Sequence, residues 1–367
     1  MRESWRLAGQ CLMIGFDGLS PSAEARQLLR EQAVGGVILF ARNIGDPEQL
    51  SALVVELQEI ARAAGQETPL LIGIDQEGGR VARLREPWIE WPAMRLLGRV
   101  GSEELVRRLG GALAEQLAPC GIRLDFAPVV DVDTNPKNPV IGDRSFGDDP
   151  ALVARLGAAL ISGLQASGVA ACAKHFPGHG DTDRDSHLEL PTIDHSPDRI
   201  ESVELLPFRA ALAADVASVM TAHVVVRALD ERLPATLSPR VVRDVLREKM
   251  GFGGVVISDD LEMSAITKTW GPGSAAVRAL AAGCDLLLIC HSADAQAEAH
   301  EALVKAVEAE ALPVKTIEDA ARRVRRLKER FVPREARPQW READWKRVAQ
   351  SHRLLAEEIA SRSGALA

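Results

Sequence analysis

Apolar residues fall along this chain in short unbroken runs, separated by segments of helical period. The runs at 36–40, 70–75, 122–131, 169–175, 218–223, 255–259 and 285–290 read as strands. A continuous apolar run means burial on both faces, which is the condition of a parallel sheet covered by helices. The stretch 12–16 is the candidate for an eighth. The helices between announce their starts. Asp46-Pro47 opens one with Leu50, Leu53, Val54, Leu57 and Ile60 on a single face and Gly65 beyond its end. Asp149-Pro150 opens another, striped by Leu152, Leu156, Leu160 and Leu164 and closed by Gly168. Ser196-Pro197 and Ser238-Pro239 open two more, the second ending near Gly251. In each, a side-chain oxygen can cap bare backbone N–H groups, and proline at the first helical position sacrifices no hydrogen bond.

Repeated strand–helix units leave two architectures, a (β/α)8 barrel or a long doubly wound sheet. The strand ends decide between them. Asp75, Asp131, His175, His223, Asp259 and His291 close one run after another. In a barrel those ends share one mouth and converge on one pocket, whereas an open sheet would spread them along an edge. Neither GxGxxG nor GxxxxGK[ST] occurs to support a nucleotide fold. The expected fold is therefore α/β, a TIM-like barrel in one domain over residues 1–331, with a C-terminal loop and helix over 332–367 packed on its outside. Within the barrel domain, 316–331 reads as a capped helix with Ile317, Ala320, Val324, Leu327 and Phe331 inward and its arginine run in solvent. The last helix presents Trp345, Val348, Leu355 and Ile359.

Composition narrows the partners. A net charge of −8 and a pI near 5.6 argue against nucleic acid or an anionic membrane. Cys11, Cys120, Cys172, Cys284 and Cys290 are scattered, with no CxxC pair, so neither a zinc site nor a disulfide framework is expected. The N-terminus lacks the apolar core of a signal peptide, and no stretch approaches the ~20 apolar residues of a membrane span. A cytoplasmic protein is the expectation. The chain contains no tyrosine.

The densest chemistry lies at 174–187, KHFPGHGDTDRDSH, directly after a buried run. Titratable groups on a loop at a strand end are what a catalytic site requires. His175 and His179 have i, i+4 spacing, but Pro177 and Gly178 oppose the helix that would align them on a metal, so no metal site is expected. Asp185 stands two residues before His187 and can orient its ring and stabilise its charged form. Asp259 and Asp260 end the run at 255–259. A carboxylate there must be used or compensated, and strand alternation sends the pair in different directions. Asp260 is the better candidate for capping the next helix. A nucleophilic carboxylate with a separate proton donor suits double displacement at a sugar anomeric centre.

Taken together, the phrases GGVILFARN (35–43), IDQEGGRVARL (74–84), DFAPVVDV (125–132), IGDRSFG (141–147), KHFPGHGDTDRDSH (174–187), TAHV (221–224) and GVVISDDLEM (254–263) resemble the bacterial glycoside hydrolase family 3 β-N-acetylglucosaminidases. The resemblance is to the single-domain cytoplasmic type that acts in peptidoglycan recycling. It implies a retaining enzyme with Asp259 as nucleophile, His187 as general acid/base and Asp185 as its dyad partner. Asp75, Arg83, Arg144, Lys174 and His175 match residues that hold the terminal N-acetylglucosamine. No cofactor or metal is implied, and the substrate would be N-acetylglucosaminyl-anhydromuropeptides. A phosphorylase or β-glucosidase using the same site stays open as an alternative, as does a muropeptide-binding barrel without catalysis.

Overall fold

The computed structural model describes residues 3–186, 189–334, 338 and 340–364. Among the described residues ten strands follow in chain order: β1 Leu12–Ile14, β2 Gly36–Leu39, β3 Leu71–Ile74, β4 Leu124–Asp125, β5 Ala170–Phe176, β6 Thr192–Ile193, β7 Ser218–Thr221, β8 Val225–Val226, β9 Val255–Ile257 and β10 Leu287–Ile289. Eight form one parallel sheet in the order β10-β1-β2-β3-β4-β5-β7-β9. A parallel bridge between Ile257 and Leu286 brings its two ends together, making the TIM-like barrel. The strand expected at 12–16 is β1, which joins β10 to β2. The pair β6–β8 lies outside the barrel and was not anticipated.

Every residue of the eight barrel strands is buried, as the continuous apolar runs require. Alternation then sorts them into two cores. Met13, Ile38, Leu71, Leu124, Cys172, Met220, Ile257 and Leu288 fill the interior. Leu12, Ile14, Val37, Leu39, Ile72, Ile74, Val219, Val256 and Ile289 meet the surrounding helices. Those helices begin where the caps said. Asp46 accepts from the Gln49 N–H at the head of Pro47–Ala63, and Asp149 from Ala151 at the head of Pro150–Ala166. Ser196 and Ser238 also accept backbone N–H groups, but the segments they open carry π-helical turns at Ile200–Glu204 and Arg240–Lys249.

The helix Val314–Phe331 starts two residues before the expected boundary and presents the expected apolar face. Its Val324, Leu327 and Phe331 join the barrel-interior cluster and plug the mouth at the strands' N-terminal ends. The arginine run is not uniformly solvated. Arg322, Arg325 and Arg326 are exposed, but Arg323 reaches the buried Asp285 at 2.8 Å, because a carboxylate buried just ahead of β10 must be compensated. Asp285 also pairs with Arg247. Lys328 is fully buried, donates to Gln10 Oε1 at 2.9 Å, and is driven by burial down to about 7.

The C-terminal helix Glu342–Arg362 buries Trp345, Ala349, His352, Leu355 and Ile359. His352 stacks edgewise among Trp91 and Trp345, and its Nε2 lies 2.8 Å from Glu115. Trp340 extends the contact to Trp88. No helix among the described residues is long and apolar enough to cross a membrane.

Candidate active site

At the C-terminal ends of the barrel strands lies a cavity of about 320 Å3, lined among others by Asp75, Arg83, Arg144, Lys174, His175, Asp185 and Asp259. They arrive from several elements. Asp75 directly follows β3, Lys174 and His175 stand within β5, and Asp259 comes just after β9. Arg144 ends the short turn Gly142–Arg144, and Asp185 lies on the loop after β5. The peptide between Lys174 and His175 is cis. His187 lies outside the described residues. Its neighbour Ser186 lines the cavity and donates or accepts at His179 Nε2, 3.0 Å away.

The charged groups form a web centred on Glu77, which the sequence reading passed over. Arg144 grips Glu77 with two N–H groups, Nε to Oε2 and Nη2 to Oε1, both at 2.8 Å. Lys174 Nζ bridges Glu77 Oε1 at 2.6 Å and Asp75 Oδ1 at 2.8 Å. Burial alone would raise the Glu77 carboxyl, but the adjacent Arg144 and Lys174 charges hold it well below the usual carboxylate range. Lys174 is pushed up in turn, its burial outweighed by Asp75 and Glu77. Arg83 reaches Asp75 Oδ2 at 3.4 Å. Its loop is pinned by Gln76, whose Oε1 accepts from the Arg83 and Leu84 N–H groups at 2.7 and 3.0 Å. A signal for Glu77 did exist: it stands two residues beyond the strand-end Asp75 and directly before Gly78-Gly79.

Beneath His175 sits Asp131, also fully buried. It accepts from the His175 and His179 backbone N–H groups, and its Oδ2 lies 2.7 Å from His175 Nδ1. Burial opposes its ionisation, but the two histidines outweigh it and hold its pKa low. A carboxylate can only accept, so Nδ1 of His175 carries the proton and Nε2 faces Arg144 Nη2 at 3.5 Å. His179 is lowered to about 4, by burial first and by His175 second, and is neutral at neutral pH. Thr182 and Ser186 take its two ring nitrogens. Among the described residues no group of three or more His, Cys, Asp or Glu side chains is arranged to hold a metal.

Three sequence expectations are corrected. The six strand-end residues do not all line the pocket: Asp75, His175, Asp259 and His291 do, while Asp131 and His223 are buried behind it as supports. Asp259 and Asp260 do not diverge either, since both line the cavity. The chain leaves the extended conformation after Ile257, so period-two alternation no longer applies. Nor does Asp260 cap the following helix. Its Oδ1 accepts from Glu262 N–H at 3.1 Å, and its backbone N–H donates to Asp259 Oδ1 at 2.8 Å. Burial, with Glu262 and Asp259 nearby, raises the Asp260 carboxyl to about 7.

Carboxylates, a buried lysine and arginines surround one polar barrel mouth, and comparison with known proteins makes the chain a glycoside hydrolase. The sequence profile of the glycosyl hydrolase family 3 N terminal domain matches residues 7–327, and the chain belongs to that family. It is 41% identical over 290 residues to a β-hexosaminidase of Alkalilimnicola ehrlichii, covering 77% of this chain and 81% of that protein. A family 3 β-N-acetylglucosaminidase from Paenibacillus sp. FPU-7 superposes with a TM-score of 0.91 at 41% identity, over 99% of this chain and 69% of that one. NagZ of Neisseria gonorrhoeae superposes with a TM-score of 0.77 at 34% identity, over 96% and 97% of the two chains. The same NagZ has been seen in complex with N-trifluoroacetyl-D-glucosamine. The chain is thus an enzyme of the β-hexosaminidase type.

Proposed function

We propose that the chain is a retaining exo-β-N-acetylglucosaminidase that removes terminal N-acetylglucosamine from N-acetylglucosaminyl-anhydromuropeptides. One observation carries the reading: the Asp259 carboxylate opens into the cavity that also holds Asp75, Arg83, Arg144, Lys174, His175 and Asp185. Asp259 attacks the anomeric carbon as His187 protonates the leaving oxygen. His187, oriented by Asp185, then takes a proton from water as the glycosyl-enzyme is hydrolysed. Asp75, with its two acceptor oxygens, and Arg83, Arg144, Lys174 and His175 bind the sugar. Two of the three Lys174 donors go to Asp75 and Glu77, which fixes the direction of the third. Muropeptide recycling would place the enzyme in the cytoplasm. Residues 1–331 are the catalytic barrel and 332–367 an extension on it, a division supported by the packing of His352 against Trp91 and its contact with Glu115 of the barrel domain.

The test is turnover of aryl β-N-acetylglucosaminide against aryl β-glucoside by the purified protein. Strong preference for the N-acetyl sugar, lost in Asp259→Ala, is the expected result. Preference for the glucoside would overturn the substrate assignment, and full activity of Asp259→Ala would overturn the nucleophile. Sugar-1-phosphate formed in phosphate buffer would replace water by phosphate as the acceptor.

A further inference from the structure

We propose that His223 is a positioning residue for the nucleophile: through the Asp260 carbonyl it fixes the turn from which Asp259 reaches the anomeric carbon. The proposal rests on Asp259 being the nucleophile. His223 is fully buried, lies behind the cavity and does not line it. Its Nε2 is 2.9 Å from the Asp260 carbonyl oxygen. A carbonyl can only accept, so Nε2 must carry a proton. Nδ1 lies 2.8 Å from Thr236 Oγ1, and that hydroxyl is itself 2.9 Å from Thr221 Oγ1. Thr236 Oγ1 also lies 3.1 Å from the Ala222 carbonyl oxygen, so its one proton goes either to that carbonyl, with Nδ1–H donating to the hydroxyl, or to Nδ1; in both arrangements Nε2–H is presented to Asp260.

The Asp260 residue is where this matters. Its N–H donates to Asp259 Oδ1 at 2.8 Å, and its carbonyl takes both His223 Nε2 and the Met263 N–H, the latter at 3.1 Å. His223 therefore holds from below the residue whose amide aims the Asp259 carboxylate. The rest of the turn is tied on its other side, by Leu261 N–H to Leu288 O at 3.0 Å and by Glu262 accepting from His291 and Ser292 at 2.6 and 2.9 Å. A hydrogen bond from β7's end to β9's end is thus the link that sets the nucleophile against the sugar pocket on β3 and β5. Misplacement of a reacting group by about 1 Å can cost ~100-fold in rate.

The experiment compares His223→Leu, His223→Gln and His223→Asn on an aryl β-N-acetylglucosaminide. A Gln amide nitrogen can stand where Nε2 does and still donate to Asp260. An Asn amide stands nearer Nδ1 and falls short. Expected are kcat losses of ~30–100-fold for Leu and Asn, KM within ~3-fold of the parent, and Gln within ~5-fold of the parent in kcat. Should Leu fail to fold, the Gln–Asn pair, polar in both members, carries the test. Equal kcat in Gln and Asn, or a loss residing in KM, would overturn the proposal. Asp259→Gly with added azide separates the underlying reading. Azide takes the carboxylate's place at the anomeric carbon as the aryloxide leaves, giving the α-glycosyl azide. No such product means that Asp259 is not the nucleophile. Product formed while His223→Leu retains full kcat means that only the positioning role is wrong.

Discussion

Glu77→Gln tests the electrostatic core of the site with a change of a single heavy atom. Glu77 accepts three charge-assisted hydrogen bonds, at 2.8, 2.8 and 2.6 Å, from Lys174, as buried as itself, and from the largely buried Arg144. In the variant the amide oxygen can keep Arg144 Nη2 and Lys174, but the new NH2 opposes the Arg144 Nε–H. Lys174 would then be left with Asp75, and Arg144 with the more distant Asp131 and Asp75. Breaking a buried pair by removing one partner costs about 3–5 kcal/mol, and we expect the unfolding free energy to fall by that amount at pH 7. The pH dependence gives an internal check. The folded Glu77 pKa lies below its unfolded value, so its contribution is complete above pH ~4.5 and is lost as pH falls toward the folded pKa. The gap between parent and variant should be flat from pH 8 to 5.5 and then narrow by roughly 1.4 kcal/mol per pH unit below about 4. Urea unfolding followed by far-UV circular dichroism at several pH values measures it. A gap under ~1 kcal/mol at pH 7, or one that ignores acid, would refute the claim that Glu77 is the ionised hub of the site.

Three further outcomes follow from buried groups. Asp131→Asn removes the carboxylate under His175 and puts an amide donor against Nδ1–H; one charged hydrogen bond lost corresponds to ~10–100-fold in kcat/KM, carried mainly by KM, in steady-state kinetics. Asp260→Asn should gain stability relative to the parent as pH rises, because the raised carboxyl contributes fully below pH ~4 and loses that contribution through about 7. Its advantage should grow by roughly 2–3 kcal/mol between pH 5 and 8, and a pH-independent difference would contradict the raised value. Lys328→Met should raise the thermal midpoint at pH 7 despite stranding Gln10 Oε1. The lysine's depressed pKa costs stability as pH falls from 10.5 toward 7, so the gain should shrink by about 2 kcal/mol by pH 9.

The barrel was legible because burial on both faces writes itself into the sequence as unbroken apolar runs, and even the three-residue β1 left that trace. Helix starts were legible because Asp46, Asp149, Ser196 and Ser238 act locally. What escaped was tertiary. The Glu77–Arg144 and Lys174–Asp75 pairs join residues 67 and 99 positions apart, and no periodicity reports them. The strands β6 and β8 have two residues each, too few to show a period. Arg323 and its exposed neighbours look alike in sequence, and only the position of Asp285 separates them. Asp75, His175 and Asp259 were found as strand-end polar groups, whereas Arg83, Arg144 and Lys174 came only from the family resemblance; the division between strand-end residues that face the cavity and those that brace it depends on depth along each strand, which Asp131 and His223 conceal.

The seam between the C-terminal helix and the barrel has a spectroscopic consequence. Four of the chain's six tryptophans, Trp88, Trp91, Trp340 and Trp345, lie in it or on its edge, and there is no tyrosine to add background emission. Intrinsic fluorescence from this protein is therefore weighted toward one interface. Undocking of the terminal helix can be followed with the chain's own chromophores, without labels.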